Sequence, residues 1–123
     1  MDTRQLIESY YKAWTGGDFA AARACLADDL DFQGSIDAFS DADTFMEALK
    51  RFQQMVRSVT LLQSYHNDHG AALLYECDTA SPAGVIRTAE FFRVSDGRIT
   101  SIRLVFDASE LRKSMPPAEP AQS

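Results

Sequence analysis

The sequence is short of several things, and each shortage closes off a class of function. It carries 12 lysines and arginines against 18 aspartates and glutamates, a formal net charge of −6 over 123 residues. Such a chain has no general attraction for phosphate backbones or anionic membrane surfaces, so neither nucleic acid nor a membrane is expected as a partner. No apolar run approaches the roughly 20 residues that span a bilayer. No apolar stretch follows the opening Met-Asp-Thr-Arg-Gln, so no signal peptide is expected. Cys25 and Cys77 are the only 2 cysteines and stand far apart. Reduced thiols in a cytoplasmic protein are the expectation. His66 and His69 have only Asp68 beside them, in a turn, so no metal site is expected. Neither a glycine-rich phosphate loop nor a nucleophile elbow occurs, and no organic cofactor is expected.

What is present describes one globular domain. Hydrophobic residues make up 46% and charged residues 24%, a composition that can fill a core at this length. Leu6, Ile7, Tyr10, Tyr11 and Trp14 recur at helical steps on one stripe. Asp2 with Gln5 forms a capping box, and Gly16-Gly17 stops the helix. Asp18 caps a second helix, Phe19 to about Ala27, and a short strand follows at 30–33. Residues 34–39 read as loop. Ser40 with Asp43 resembles the start of a third helix running to about Val56, with Phe45, Leu49 and Phe52 on one face.

The period then changes from helical to alternating, with strands at 57–66, 71–80, 85–95 and 98–106 joined by short turns. Helices first and an antiparallel meander afterwards is an α+β pattern. The Pro-rich end, residues 113–123 with Pro116, Pro117 and Pro120, reads as a flexible tail on a domain of residues 1–112.

Two registers are open to the last hairpin. A two-residue Asp96-Gly97 turn places Ser95 opposite Arg98 and Glu90 opposite Arg103. A three-residue loop with Gly97 in a left-handed bulge places Val94 opposite Arg98 and Glu90 opposite Ile102. Only the second puts Ile86, Thr88, Glu90, Phe92 and Val94 on the same side as Ile102, Leu104 and Phe106, and register follows the buried face. Glu90 then interrupts an apolar row. A carboxyl there is desolvated and favours its neutral, hydrogen-donating form; the alternative is a glutamate at a sheet margin, solvated or paired with an arginine. Tyr75 and Cys77 share the apolar phase of their strand with Leu73.

Three strings stand in order along the chain: Tyr10 seven residues before Gly17-Asp18, Cys25-Leu26-Ala27-Asp28-Asp29, and Phe92-Arg93-Val94-Ser95-Asp96-Gly97-Arg98-Ile99. Together with the element order they resemble the nuclear-transport-factor-2-like superfamily, in its SnoaL-like and ketosteroid-isomerase-like branch, over residues 2–112. The resemblance implies a cone-shaped fold, with three N-terminal helices packed on a strongly curved antiparallel sheet around an apolar pocket, and often a homodimer through the outer sheet face. Ketosteroid isomerase pairs a carboxylate base with an oxyanion hole of a tyrosine and a neutral acid. By the resemblance its tyrosine falls on Tyr10 and its neutral acid on Glu90, the residue the register had singled out. Its base falls on Gly34, which cannot move a proton. Asp31 and Asp37 are the substitutes, although alternation turns Asp31 away from Phe32.

The implied function is a cofactor-free isomerase, cyclase or hydrolase acting on a small apolar carbonyl or cyclic compound by acid/base chemistry. Tyr10, Glu90, Asp31 and Asp37 would do the chemistry, and Trp14, Phe32, Tyr75, Cys77, Phe92, Leu104 and Phe106 would line the pocket. Two alternatives stay open: a non-catalytic module of the same fold that binds a lipophilic ligand or dimerises, and an interaction domain whose side chains fill the cavity. The outer row of Arg87, Phe91 and Arg93 suits a subunit interface, where aromatics and arginine are enriched; a plain solvated face is its alternative.

Overall fold

In the computed structural model, which describes residues 1–113, the capping box at Asp2 forms as read. The Asp2 carboxylate accepts from the Gln5 amide at 2.8 Å, and the Gln5 side chain accepts from the Asp2 amide at 3.0 Å. Helix α1 (Thr3–Thr15) follows, burying Leu6, Ile7, Tyr10 and Trp14. It closes at Gly16, and Gly17 takes φ +80°, a left-handed turn that glycine adopts without strain. Asp18 caps α2 (Phe19–Ala24), which ends three residues sooner than expected, because the chain has already turned into strand β1 (Leu26–Gln33).

The stretch read as loop is a tight reversal. The Gly34 amide donates to the Asp37 carbonyl at 2.8 Å, and β2 (Ala38–Phe39) pairs back on β1 with Phe32 opposite Phe39. Asp41, not Ser40, caps α3 (Ala42–Gln53): its carboxylate takes both the Thr44 amide, at 2.7 Å, and the Thr44 hydroxyl, at 2.9 Å. The meander is β3 (Val56–His66), β4 (Gly70–Thr79), β5 (Val85–Ser95) and β6 (Arg98–Phe106), and α4 (Ser109–Lys113) ends the described chain. The Pro-rich tail lies outside the described residues from 114 onward. Among the described residues no helix is long and apolar enough to cross a membrane.

Six strands form one sheet in the order β2-β1-β6-β5-β4-β3. It is mixed, which corrects the expectation of an antiparallel sheet: β1 lies parallel to β6. The chain leaves β1, passes through α3 and the whole meander, and returns beside β1 with its last strand. Arg23 ties this corner together, reaching Asp28 at 2.7 Å and Asp43 at 2.8 Å.

The last hairpin corrects the expected register as well. Asp96 (φ 52°) and Gly97 (φ 72°) make a two-residue turn, with Ser95 opposite Arg98. Positive φ at both central positions is what a primed turn needs, and Asp-Gly supplies it. The bulge lies one step along: Val94 faces Ile99, but Arg93 faces Ser101, so Thr100 is the extra residue. Glu90 therefore stands opposite Leu104, not Ile102. Over Thr88–Arg93 the two registers differ by two residues, which leaves those side chains on their predicted faces; beyond the bulge the shift is one, and Ile99 turns inward. Glu90 is 2% exposed on the side of Phe92 and Ile102, while Phe91 is 49% exposed on the other.

Candidate functional site

Helices α1 and α3 lie over the inner face of the sheet, and between them and β1, β4, β5 and β6 is a cavity of about 410 Å³. Its wall is mostly apolar: Trp14 from α1, Phe45, Leu49 and Phe52 from α3, and Leu104 and Phe106 from β6 are among its lining residues. Deep in it stand Tyr10, Tyr75, Thr88 and Glu90, all buried. Among the described residues, Asp37 and Arg51 are the two exposed lining residues and so mark the mouth.

The deep polar groups are organised around Glu90. The Tyr75 hydroxyl donates to Glu90 Oε1 at 3.0 Å. These residues meet because β4 and β5 pair with Leu73 opposite Glu90 and Tyr75 opposite Thr88, so Tyr75 is a diagonal neighbour of Glu90 on the same face. Burial in apolar surroundings pushes the Glu90 carboxyl up to about 7, outweighing the Tyr75 hydrogen bond, which lowers it. In its neutral form Glu90 keeps one oxygen under Tyr75 and has a proton to offer from the other. Tyr10 makes no side-chain hydrogen bond among the described residues, yet no fully buried side-chain polar atom there lacks a partner. Its hydroxyl is therefore open to the cavity. Burial, and next the charge of Glu90, push the Tyr10 phenol well up, so it stays a protonated donor.

The mouth carries the second carboxylate. A Cβ placed on Gly34 would lie 3.2 Å from Asp37 Oδ1 and 3.0 Å from the Phe32 ring. The tight reversal at 34–37 thus folds the Asp37 carboxylate into the space a side chain on Gly34 would enter. Burial raises the Asp37 carboxyl, and the charge of Arg51 acts in the opposite direction.

Of the residues expected at the site, Tyr10, Asp37, Glu90, Trp14, Phe32, Tyr75, Leu104 and Phe106 come together around the cavity. Three do not. Asp31 points to the outer side, where it pairs with Arg103 at 2.9 Å, because alternation along β1 opposes it to Phe32. Cys77 is fully buried and does not line this cavity; Ile86, its cross-strand partner, holds the wall position. Burial, and then Glu90, push its thiol up to about 12. Phe92 packs behind the cavity, its ring edge-on to Tyr10 at 5.9 Å between centroids. Arg51 escaped the sequence reading. Its signal is positional: it lies three residues after Ala48, beside the Phe45–Leu49–Phe52 stripe, where a charge borders the buried face of α3.

The outer face carries a wider, open groove of about 680 Å³, formed where Tyr65, Ala72, Phe91 and Arg103 stand side by side across four strands. Among the described residues no group of three or more His, Cys, Asp or Glu side chains is placed to hold a metal ion.

A family model for the SnoaL-like domain matches residues 7–102. No match is found among curated proteins. Among solved structures, one similar chain is a protein from Kribbella flavida DSM 17836, 28% identical, with 89% of each chain covered and a TM-score of 0.83. A nuclear-transport-factor-2-like protein from Cytophaga hutchinsonii ATCC 33406 is 18% identical, with 91% of this chain and 96% of that one covered and a TM-score of 0.79. An LEH-like epoxide hydrolase from M. tuberculosis is 22% identical, covering 89% of this chain and 85% of that one, with a TM-score of 0.71.

Proposed function

The chain belongs to the SnoaL-like domain family, and from that premise we propose that it is an acid/base enzyme acting on a small apolar carbonyl or cyclic compound. The observation that carries this reading is a buried carboxyl, Glu90, held by Tyr75 at the bottom of an apolar cavity whose mouth holds a second carboxylate, Asp37. Two carboxyls in environments this different divide acid and base roles between them. The neutral Glu90 and the Tyr10 hydroxyl donate to a substrate oxygen and stabilise the negative charge that gathers there when a neighbouring C–H is broken. Asp37 takes the proton. It stands beside Gly34, at the position the family resemblance gives to the base, which favours Asp37 over Asp31.

Three finer readings belong with this one. The sheet bends into a cone around the cavity, a shape favoured by its bulges at Leu61–Gln63 and Arg93–Val94. Two copies pair through the outer face at Arg87, Phe91 and Arg93, where Val85, Phe91 and Val105 are about half exposed (58, 49 and 57%). The protein works in the cytoplasm, in keeping with its two free cysteines.

The test is proton exchange at carbon. 2-Tetralone in D2O, followed by NMR, is expected to exchange its α-protons faster with the protein than in buffer. Asp37→Asn should slow that exchange by about a hundredfold or more. Binding without exchange would refute catalysis and leave the non-catalytic ligand module.

A further inference from the structure

The cavity has two polar ends and an apolar middle, and the two ends differ in charge. The deep end offers neutral donors. The mouth offers Arg51, the one cationic lining residue of the cavity among the described residues. Position sets Arg51 apart: Arg57 and Arg93 also hold no side-chain partner among the described residues but lie outside this cavity, and most of the other arginines are engaged. Arg4 holds Glu8, Arg23 holds Asp28 and Asp43, Arg87 holds Glu76 and Arg103 holds Asp31. Arg112 donates to the Ser35 carbonyl at 2.7 Å. Arg51 makes neither an ion pair nor a hydrogen bond among the described residues. Its charge reaches Asp37, yet the two are not within the 4.0 Å of an ion pair. A guanidinium with all five donors unspent stands at the opening of an apolar cavity, in a chain of net charge −6 that otherwise repels anions.

Placement on the helix explains why it stays there. Arg51 lies in the last turn of α3, where a cation is favoured by the helix dipole. Ala48, three residues earlier on the same face, is a wall residue of the cavity, as is the adjacent Phe52. The helix therefore sets this exposed side chain at the rim of the mouth.

Resting on the reading of the deep end given above, we infer that the substrate is an amphiphilic acid: a ring compound with a carbonyl or hydroxyl oxygen at the Glu90 end and a carboxylate that Arg51 receives at the mouth. A planar guanidinium takes a carboxylate through two parallel hydrogen bonds, so it fixes the direction in which the molecule enters as well as adding affinity. The cavity, at about 410 Å³, is in the range of pockets for small organic ligands. A ligand carboxylate on Arg51 also withdraws that cation's support from the Asp37 carboxylate, leaving Asp37 the stronger base when the substrate is in place.

The experiment compares two fluorescent probes that differ by one group, 2-naphthol and 6-hydroxy-2-naphthoate, in binding titrations at low salt. The protein is expected to bind the naphthoate about tenfold more tightly, with the preference shrinking as salt is added. Arg51→Gln should bring the two probes to equal affinity and leave 2-naphthol unchanged. Arg57→Gln, on an exposed residue outside the cavity, should leave the preference intact. Glu90→Leu should weaken both probes alike. Equal binding of the two probes by the unaltered protein, or a preference that survives Arg51→Gln, overturns the inference about Arg51. Failure of 2-naphthol to bind, or its indifference to Glu90→Leu, overturns instead the reading of the deep end.

Discussion

Glu90→Gln is a nearly isosteric change whose effect on stability depends on pH in a way that can be worked out beforehand. Gln keeps an oxygen to accept the Tyr75 hydroxyl, so the hydrogen bond at 3.0 Å survives and only the titration is removed. Burial raises the Glu90 carboxyl from an ordinary 4.5 to about 7. Between those two values the folded protein holds a proton that the unfolded chain has released. Stability then falls as pH rises through this window and levels off above it. At about 1.4 kcal/mol per unit, the full loss is on the order of 3 kcal/mol. The variant escapes it. Its advantage over the parent should be negligible near pH 4.5 and grow to about 3 kcal/mol by pH 8, roughly 10 °C in melting temperature for a chain of this size. Urea or thermal unfolding of both proteins from pH 4.5 to 8.5 measures this, and because every other carboxylate is common to both, the difference curve isolates Glu90. A difference that stays flat between pH 5 and 8 would mean that Glu90 ionises like a surface acid, and the oxyanion role would fall with it.

Three further outcomes follow from the geometry. Gly70→Ala should cost about 3 kcal/mol in urea unfolding, because a Cβ there would run into the Phe92 carbonyl oxygen, and a strand backbone cannot step aside; a near-neutral result would mean the β4–β5 spacing is looser than described. Cys77, with its thiol pushed up to about 12, should resist iodoacetamide at pH 8 in the folded protein and react only in denaturant; labelling of the native protein at the rate of a free thiol would contradict its burial. Phe91→Glu should leave the fold intact by circular dichroism and halve the mass seen in sedimentation, since it sets a charge in the centre of the proposed interface; an unchanged mass would exclude that face.

The meander was readable almost to the residue, since alternation over four long strands leaves few ways to place the turns. The register inside the last hairpin was not. Apolar phase fixes which face a residue takes, but it is blind to shifts of two, and here the bulge sits at Thr100 while Asp96-Gly97 keeps its tight turn. Glu90 could be found because its face was the only property needed. The N-terminal half was harder to read. β1 was cut short because Asp28 and Asp29 break its alternation at the irregularity between Leu26 and Asp31, and its pairing with β6 has no local signature at all. Asp37 could be named but not preferred over Asp31 until the reversal at 34–37 brought it against Gly34. Arg51 was invisible, since a charged residue in the last turn of a helix ordinarily faces water.

The parallel pairing of β1 with β6 orders events in time. Asp31 and Arg103, which hold the two strands together, are 72 residues apart, whereas each pair in the meander is joined by a short turn. A chain emerging from the ribosome can build the meander hairpin by hairpin, but β1, made first, has nothing to dock against until β6 is out. The wall that β1 and β2 contribute, with Phe32 and Phe39, and Asp37 between them, is therefore set in place last, over a Glu90 already fixed in its row. Until then the side of the cavity that β1 and β2 close stays open, even where α1 already lies over β3 and β4, and the last strand synthesised decides when it shuts.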